Sequence, residues 1–146
     1  MKKLLLLSAA VFFSGALAAS AELNWLTDFA AAKSKAKSDH KLVLLDFTGS
    51  DWCGWCKLLK AEVFSQPQFQ EYAAKNLVLV ELDFPRSKPQ TDAVKKQNSE
   101  LADQYQIEGF PTLVVLDAEG KSVGKLGYME GGPKAFIAAL EKLRNG

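Results

Sequence analysis

The chain has 146 residues, 48% of them hydrophobic and 10% aromatic, and a formal net charge of +1. That length is the size of one domain, and that composition excludes a disordered or fibrous chain. No run of basic residues offers a footprint for nucleic acid, which is not expected as a partner.

Residues 1–21 read as a secretory signal peptide, to be set aside before the fold is considered. Met1-Lys2-Lys3 is basic, residues 4–13 are apolar, and small residues continue to Ala21. This is the order of an n-region, an h-region and a cleavage region. Ala16-Leu17-Ala18 and Ala19-Ser20-Ala21 both fit cleavage. The apolar block is shorter than the ~20 residues that a membrane-spanning helix needs. No Cys starts the mature chain, so a lipid anchor is not expected. The segment looks bacterial and points to the periplasm, with one mature domain over residues 22–146. Losing Lys2 and Lys3 leaves 16 basic against 17 acidic residues, which is close to neutral.

Residues 23–38 read as a first helix, with Leu23, Leu26 and Ala30 on one face and Lys33, Lys35 and Lys37 in solvent. His40 then leads into residues 42–47, a short and almost wholly apolar run. Such a run predicts a central strand covered on both faces. Only Asp46 breaks it. After the turn Thr48-Gly49-Ser50-Asp51, a helix begins at the cysteines and continues to about Phe64. Ser65 reads as the cap of the next helix and Pro67 as its first turn. Residues 77–82 form a second strand and 83–91 a loop with Pro85 and Pro89; 93–105 is a polar helix with Val94, Leu101 and Tyr105 inward. Gly109-Phe110-Pro111 leads into a strand over 112–116, which Glu119-Gly120 turns back as a hairpin with 123–126. The last helix covers 133–143, with Phe136, Ile137 and Leu140 inward. The order predicts an α/β fold: a central mixed sheet of about four strands flanked by helices on both faces.

Chemistry centres on Trp52-Cys53-Gly54-Trp55-Cys56-Lys57, between a buried strand and a helix. The two-residue spacer brings both sulfurs to one turn of helix start, close enough for a disulfide. The unpaired N–H groups and positive dipole end there favour a thiolate on the first cysteine. The thiolate is the nucleophile, and pKa values at such positions fall to about 3.5–7.5. Cys53 would attack a substrate disulfide and Cys56 would resolve the mixed disulfide. Other readings of the pair are weaker. A structural zinc site needs four ligands, and the chain has two Cys and one His. A c-type haem site needs His where Lys57 stands. His40 sits just before a strand rather than beside a nucleophile. An inert disulfide spanning three positions constrains the unfolded chain little. No metal is expected, and no cofactor beyond the Cys53–Cys56 couple. Asp46, a carboxylate in an apolar strand, should have a raised pKa suited to proton transfer, or else serve as a hydrogen-bonded structural acid.

Through Leu45-Asp46-Phe47, Trp52-Cys53-Gly54-Trp55-Cys56-Lys57 and Gly109-Phe110-Pro111-Thr112, the chain resembles the thioredoxin superfamily over about residues 40–145. The stretch from Cys56-Lys57 to Phe64-Ser65-Gln66-Pro67-Gln68-Phe69 looks most like two exported groups. These are the periplasmic C-terminal domain of the thiol–disulfide interchange protein DsbD and small proteins related to it. The resemblance implies a thioredoxin-like fold, an exposed nucleophile at Cys53 and a buried resolving thiol at Cys56. It also implies a cis-proline at Pro111 beside the cysteines, and a proton-relaying acid at Asp46. Trp52 would shield the site or simply pack the core. Gly54, Trp55 and Phe110 would contribute to the surface that meets substrate. Departures from thioredoxins are Trp55 in place of Pro, Ala61 in place of a helix-kinking Pro, Glu81 in place of a Lys, and a longer segment over 85–97. If Asp46 and Glu81 both lie under Cys56, at least one of them is pushed up in pKa.

The function expected is thiol–disulfide exchange on protein or peptide thiols and disulfides, most plainly as a reductase supplied by a DsbD-like membrane donor. An oxidase or isomerase, and a redox-independent binding module, are the alternatives. A monomer is expected, because no segment is left over for a dimerisation domain.

Overall fold

The computed structural model describes residues 23–146 and opens with a two-residue strand, β1 (Trp25–Leu26), inside the first predicted helix. The signal peptide lies outside the described residues. Trp25 and Leu26 run parallel to Leu79 and Val80. Leu23 and Trp25 pack on one face of the sheet and Leu26 on the other, which is the two-residue period of a strand. Helix α1 (Phe29–Asp39) begins only where Asp28 caps it, its carboxylate accepting from Ala31 N at 3.0 Å. The buried face of α1 is Ala32 and Ala36 rather than Leu23, Leu26 and Ala30. His40 ends it in the left-handed region, φ 53°.

Strand β2 (Leu42–Thr48) is buried along its whole length, as the apolar run predicted. After it come α2 (Gly54–Leu59), a single π-helical turn (Lys60–Phe64) and α3 (Pro67–Asn76). Gln66, not Ser65, occupies the cap position of α3; the Ser65 amide instead closes the π turn onto Lys60 O at 2.8 Å. The remaining elements are β3 (Leu77–Asp83), α4 (Asp92–Gln104), β4 (Thr112–Leu116), β5 (Ser122–Leu126) and α5 (Gly132–Asn145). The sheet is mixed and five-stranded, ordered β1-β3-β2-β4-β5. β1, β3 and β2 are parallel, and β4 runs antiparallel to both β2 and β5. The strand beyond the four predicted is β1.

Alternation along the strands sorts the core into two layers. Leu42, Leu44, Leu77, Leu79, Leu113 and Val115 meet Phe64, Phe69, Phe136 and Leu140 from the helices on one side. Val43, Leu45, Phe47, Val78, Val80 and Leu82 meet Ala32, Ala36 and Leu101 on the other. In α4 the most buried side chain is Asn98, which reaches Asp83 O at 3.0 Å; Val94 and Tyr105 are only partly covered. Among the described residues no helix is long and apolar enough to cross a membrane.

Candidate active site

The same alternation that buries Leu42 and Leu44 carries on to Asp46, and the one that buries Leu77 and Leu79 carries on to Glu81. These two acids are directly paired in the parallel register of β2 and β3. Both lie on the face that α2 covers, at the C-terminal ends of their strands, where open α/β sheets place their ligand sites. Cys56 shares a cavity with them. Cys53 is the N-cap residue of α2, and its sulfur accepts a hydrogen bond from Cys56 N at 3.2 Å. Cys53 and Cys56 are joined in a disulfide, with Cα atoms 5.3 Å apart. Burial does not distinguish the two, since each is 6% exposed. Their neighbours do. Cys56 lines a cavity of about 350 Å³ together with Asp46, Thr48, Glu81 and Lys60, and Cys53 does not.

This cavity sets the charge state of Asp46. The carboxyl is 7% exposed, and its Oδ1 makes no hydrogen bond within the described protein. Burial first, then the nearby charges of Glu81 and Asp83, push it up to about 7, and Lys60 opposes the rise. Glu81 is raised as well, by its own burial and by Asp83, against Lys60 and Lys88. A carboxyl poised near neutrality beside a cysteine can hold or accept a proton at working pH. Lys60 was not singled out from sequence. Its signal was its place four residues after Cys56, the spacing that stacks two side chains on one helix face.

The other residues named from sequence lie in or just before α2 and just before β4, and Trp52 and Phe110 bring the two segments into contact. The Phe110-Pro111 bond is cis, and Pro111 leads directly into β4. Trp52 stands edge-on to Phe110, with ring centroids 5.7 Å apart, and donates from Nε1 to Phe84 O at 2.8 Å. Phe110 in turn lies 5.2 Å from Phe84. Gly54 is exposed, and a Cβ there would meet nothing within 4 Å, so the surface beside Cys53 is open. Trp55 is 60% exposed and rests against Tyr128 at 5.1 Å, whose hydroxyl donates to Glu62 Oε2. Nothing local in the sequence pointed to Tyr128, which is brought in by the β5–α5 connection.

Gly49 explains how Trp52 comes so close to the backbone. A Cβ at Gly49 would sit 2.4 Å from the indole Cε2, so the turn admits no side chain while Trp52 keeps its place. Gly49→Ala is expected to lower stability by about 1–3 kcal/mol, the usual range for overpacking. Urea midpoints and tryptophan emission check this. An unchanged midpoint would show that the indole swings aside at no cost.

The sequence matches the thioredoxin-like domain family over residues 29–144. It is 39% identical to the disulfide bond reductase DsbH of Chlamydia pneumoniae over 123 residues, which is 84% of this chain and 74% of that protein. A solved DsbH oxidoreductase superposes with a TM-score of 0.83 at 36% identity, covering 93% of this chain and 94% of the other. The C-terminal domain of Neisseria meningitidis DsbD in its oxidised form gives 0.57 at 23% identity, covering 82% and 98%, which is a likeness of fold. A family match across nearly all the described residues, and a relative similar over most of both lengths, carry one conclusion: this chain belongs to the thioredoxin-like family.

Proposed function

We propose that the chain is an exported thiol–disulfide oxidoreductase that reduces disulfides of periplasmic proteins, with a signal peptide removed after Ala18 or Ala21. The observation that carries the reductive direction is the 39% identity to a relative named as a disulfide bond reductase. In this reading the only redox couple is Cys53–Cys56, no cofactor takes part, and the protein acts as a monomer. A membrane donor of the DsbD kind restores the dithiol.

Cys53, at the helix start with an N–H aimed at its sulfur, is the attacking thiolate. It attacks one sulfur of a substrate disulfide; the S–S bond breaks, and the other substrate sulfur leaves as a thiolate that takes up a proton. Cys56 gives its proton to the Asp46 carboxylate across the shared cavity. The Cys56 thiolate then attacks Cys53 Sγ; the mixed disulfide breaks, the internal disulfide re-forms, and the second substrate sulfur leaves as a thiolate that takes up the proton held by Asp46. Two electrons pass to the substrate; one of the two protons its thiols gain comes from Cys56 by way of Asp46, and the other from solvent. Pro111 and Phe110 present backbone and ring surface to the substrate segment, while Trp52, Gly54 and Trp55 complete the open face around Cys53. Glu81 raises the proton affinity of Asp46 through its charge.

The reduction potential of Cys53–Cys56 tests the direction. Equilibration with dithiothreitol and glutathione buffers, read by mass, is expected to give a value near or below that of thioredoxin, about −270 mV. A value above about −180 mV would instead make the protein an oxidant or isomerase. A pair that never equilibrates would rule out exchange altogether.

A further inference from the structure

The segment after β3 is fastened to the active-site turn by more bonds than a plain connection needs. The Asp51 carboxylate accepts from Arg86 N at 3.1 and 3.2 Å and from Ser87 N at 2.7 Å. Asp83, at the end of β3, accepts from Ser50 N at 2.9 Å and from Ser50 Oγ at 2.5 Å. Trp52 Nε1 bonds to Phe84 O, and Lys88 Nζ donates to Ser50 Oγ at 3.0 Å. The result is that the exposed Arg86 lies with its guanidinium 3.9 Å from the ring centre of Trp52, the residue immediately before Cys53.

Arg86, exposed and held over an indole, is ordered before it binds and loses little freedom when it meets an anion. Asp51 bonds to the backbone amides of Arg86 and Ser87 and Asp83 to Ser50, and neither is paired with the Arg86 guanidinium. Arg86 forms no salt bridge among the described residues. Lys57 and Lys88 add positive charge on the same side, Lys57 Nζ sitting 3.1 Å from Asp51 O. Arg86, Lys57 and Lys88 thus outnumber Asp51 and Asp83 on the Trp52 side, while across the site Tyr128, which Trp55 rests against, has Glu62 and Glu130 for neighbours.

We infer that Arg86 is a specificity residue of this site, docking a carboxylate side chain that flanks the target cysteine of the substrate protein. Resting on the oxidoreductase reading, the inference names the class of segment that reading leaves open: acidic beside the cysteine rather than basic. Arg86 touches no reacting atom. It acts on encounter and orientation, as charges at the rim of an interface do.

Single-turnover oxidation of the reduced protein tests it, using two peptide disulfides that differ only in Glu or Lys beside the cysteine. Each rate is divided by the same variant's rate on bis(2-hydroxyethyl) disulfide, so that a general change in thiol reactivity cancels. The wild type should favour the Glu peptide by about fivefold at low salt, the size of a partly exposed ion pair, and lose most of the preference at high salt. Arg86→Gln, which keeps the backbone amide that Asp51 binds, should bring the ratio towards one, and Arg86→Glu should invert it. A wild-type ratio near one, or a ratio that Arg86→Glu leaves untouched, would overturn the inference. Failure of the wild type to reduce even the neutral disulfide would instead remove the oxidoreductase reading on which it rests.

Discussion

Asp46→Asn is expected to stabilise the oxidised protein at pH 8 by about 4 kcal/mol relative to any effect it has at pH 4. In the unfolded chain this carboxyl loses its proton around pH 3.8, and in the folded protein only near 7. Between those values the native state holds a proton that the unfolded state has released. Stability therefore falls as pH rises through that window, and the full penalty is present above 7. Below 3.8 both states are protonated and the penalty vanishes. Asn cannot ionise and escapes it, while whatever its amide costs in the cavity is the same at both pH values and cancels. Urea unfolding at pH 4 and pH 8 measures the difference. A gain that is equal at both pH values would mean a change of packing rather than of charge. No gain at either would mean that the buried carboxylate is fully compensated. Glu81→Gln should act in the same direction and less strongly, because the Glu81 charge comes second to burial in raising Asp46. On the proposed mechanism, in which Asp46 takes the Cys56 proton, Asp46→Asn should also slow the resolving step at neutral pH.

Why these residues could be read from the sequence, and others not, follows from the range of the interactions that place them. Asp46 was legible because a single acid in a run of six buried positions stands out against the strand's own periodicity, and register alone then brings Glu81 beside it. The cysteine spacing and the strand–turn–helix around it are local, as is the X–Pro step before β4. β1 was misread because Leu23, Leu26 and Ala30 also fit a helical face. Only pairing with Leu79 and Val80, more than fifty positions away, decides for a strand. The π turn was hidden for a different reason. With Ala61 in place of a proline, nothing in the composition marks a bend, and the extra residue shows only as the bond from Ser65 N to Lys60 O. The clasp of Asp51 and Asp83 on the turn and loop joins residues over thirty positions apart, so nothing in the sequence singled out Arg86. The expectation that Cys56 is buried holds, but Cys53, expected to be exposed, is covered to the same degree in this oxidised state. What separates them is the cavity on one side and the helix N-terminus on the other.

That separation carries the largest effect on activity. Cys56→Ser, mixed with a peptide disulfide, should accumulate a mixed disulfide through Cys53 that mass spectrometry detects as the protein plus one peptide strand. Cys53→Ser should accumulate none. Turnover should fall by about a thousandfold or more in both, since a hydroxyl at neutral pH replaces a thiolate nucleophile. The asymmetry is the informative part. The Cys53 sulfur receives the Cys56 N–H at the start of α2 and has the open surface at Gly54 beside it. Cys56 instead faces Asp46, Glu81 and Lys60, and a substrate disulfide would have to enter that cavity to reach it. A carboxyl raised to about 7 beside it can take its proton only once the pair is reduced, which is when a resolving thiol needs to lose it. If Cys53→Ser formed the adduct and Cys56→Ser did not, the two roles would be exchanged. The open face would then have to lie on the Asp46 side of the helix. If neither variant formed an adduct while the wild type still turned over, the route would not pass through a mixed disulfide at this pair.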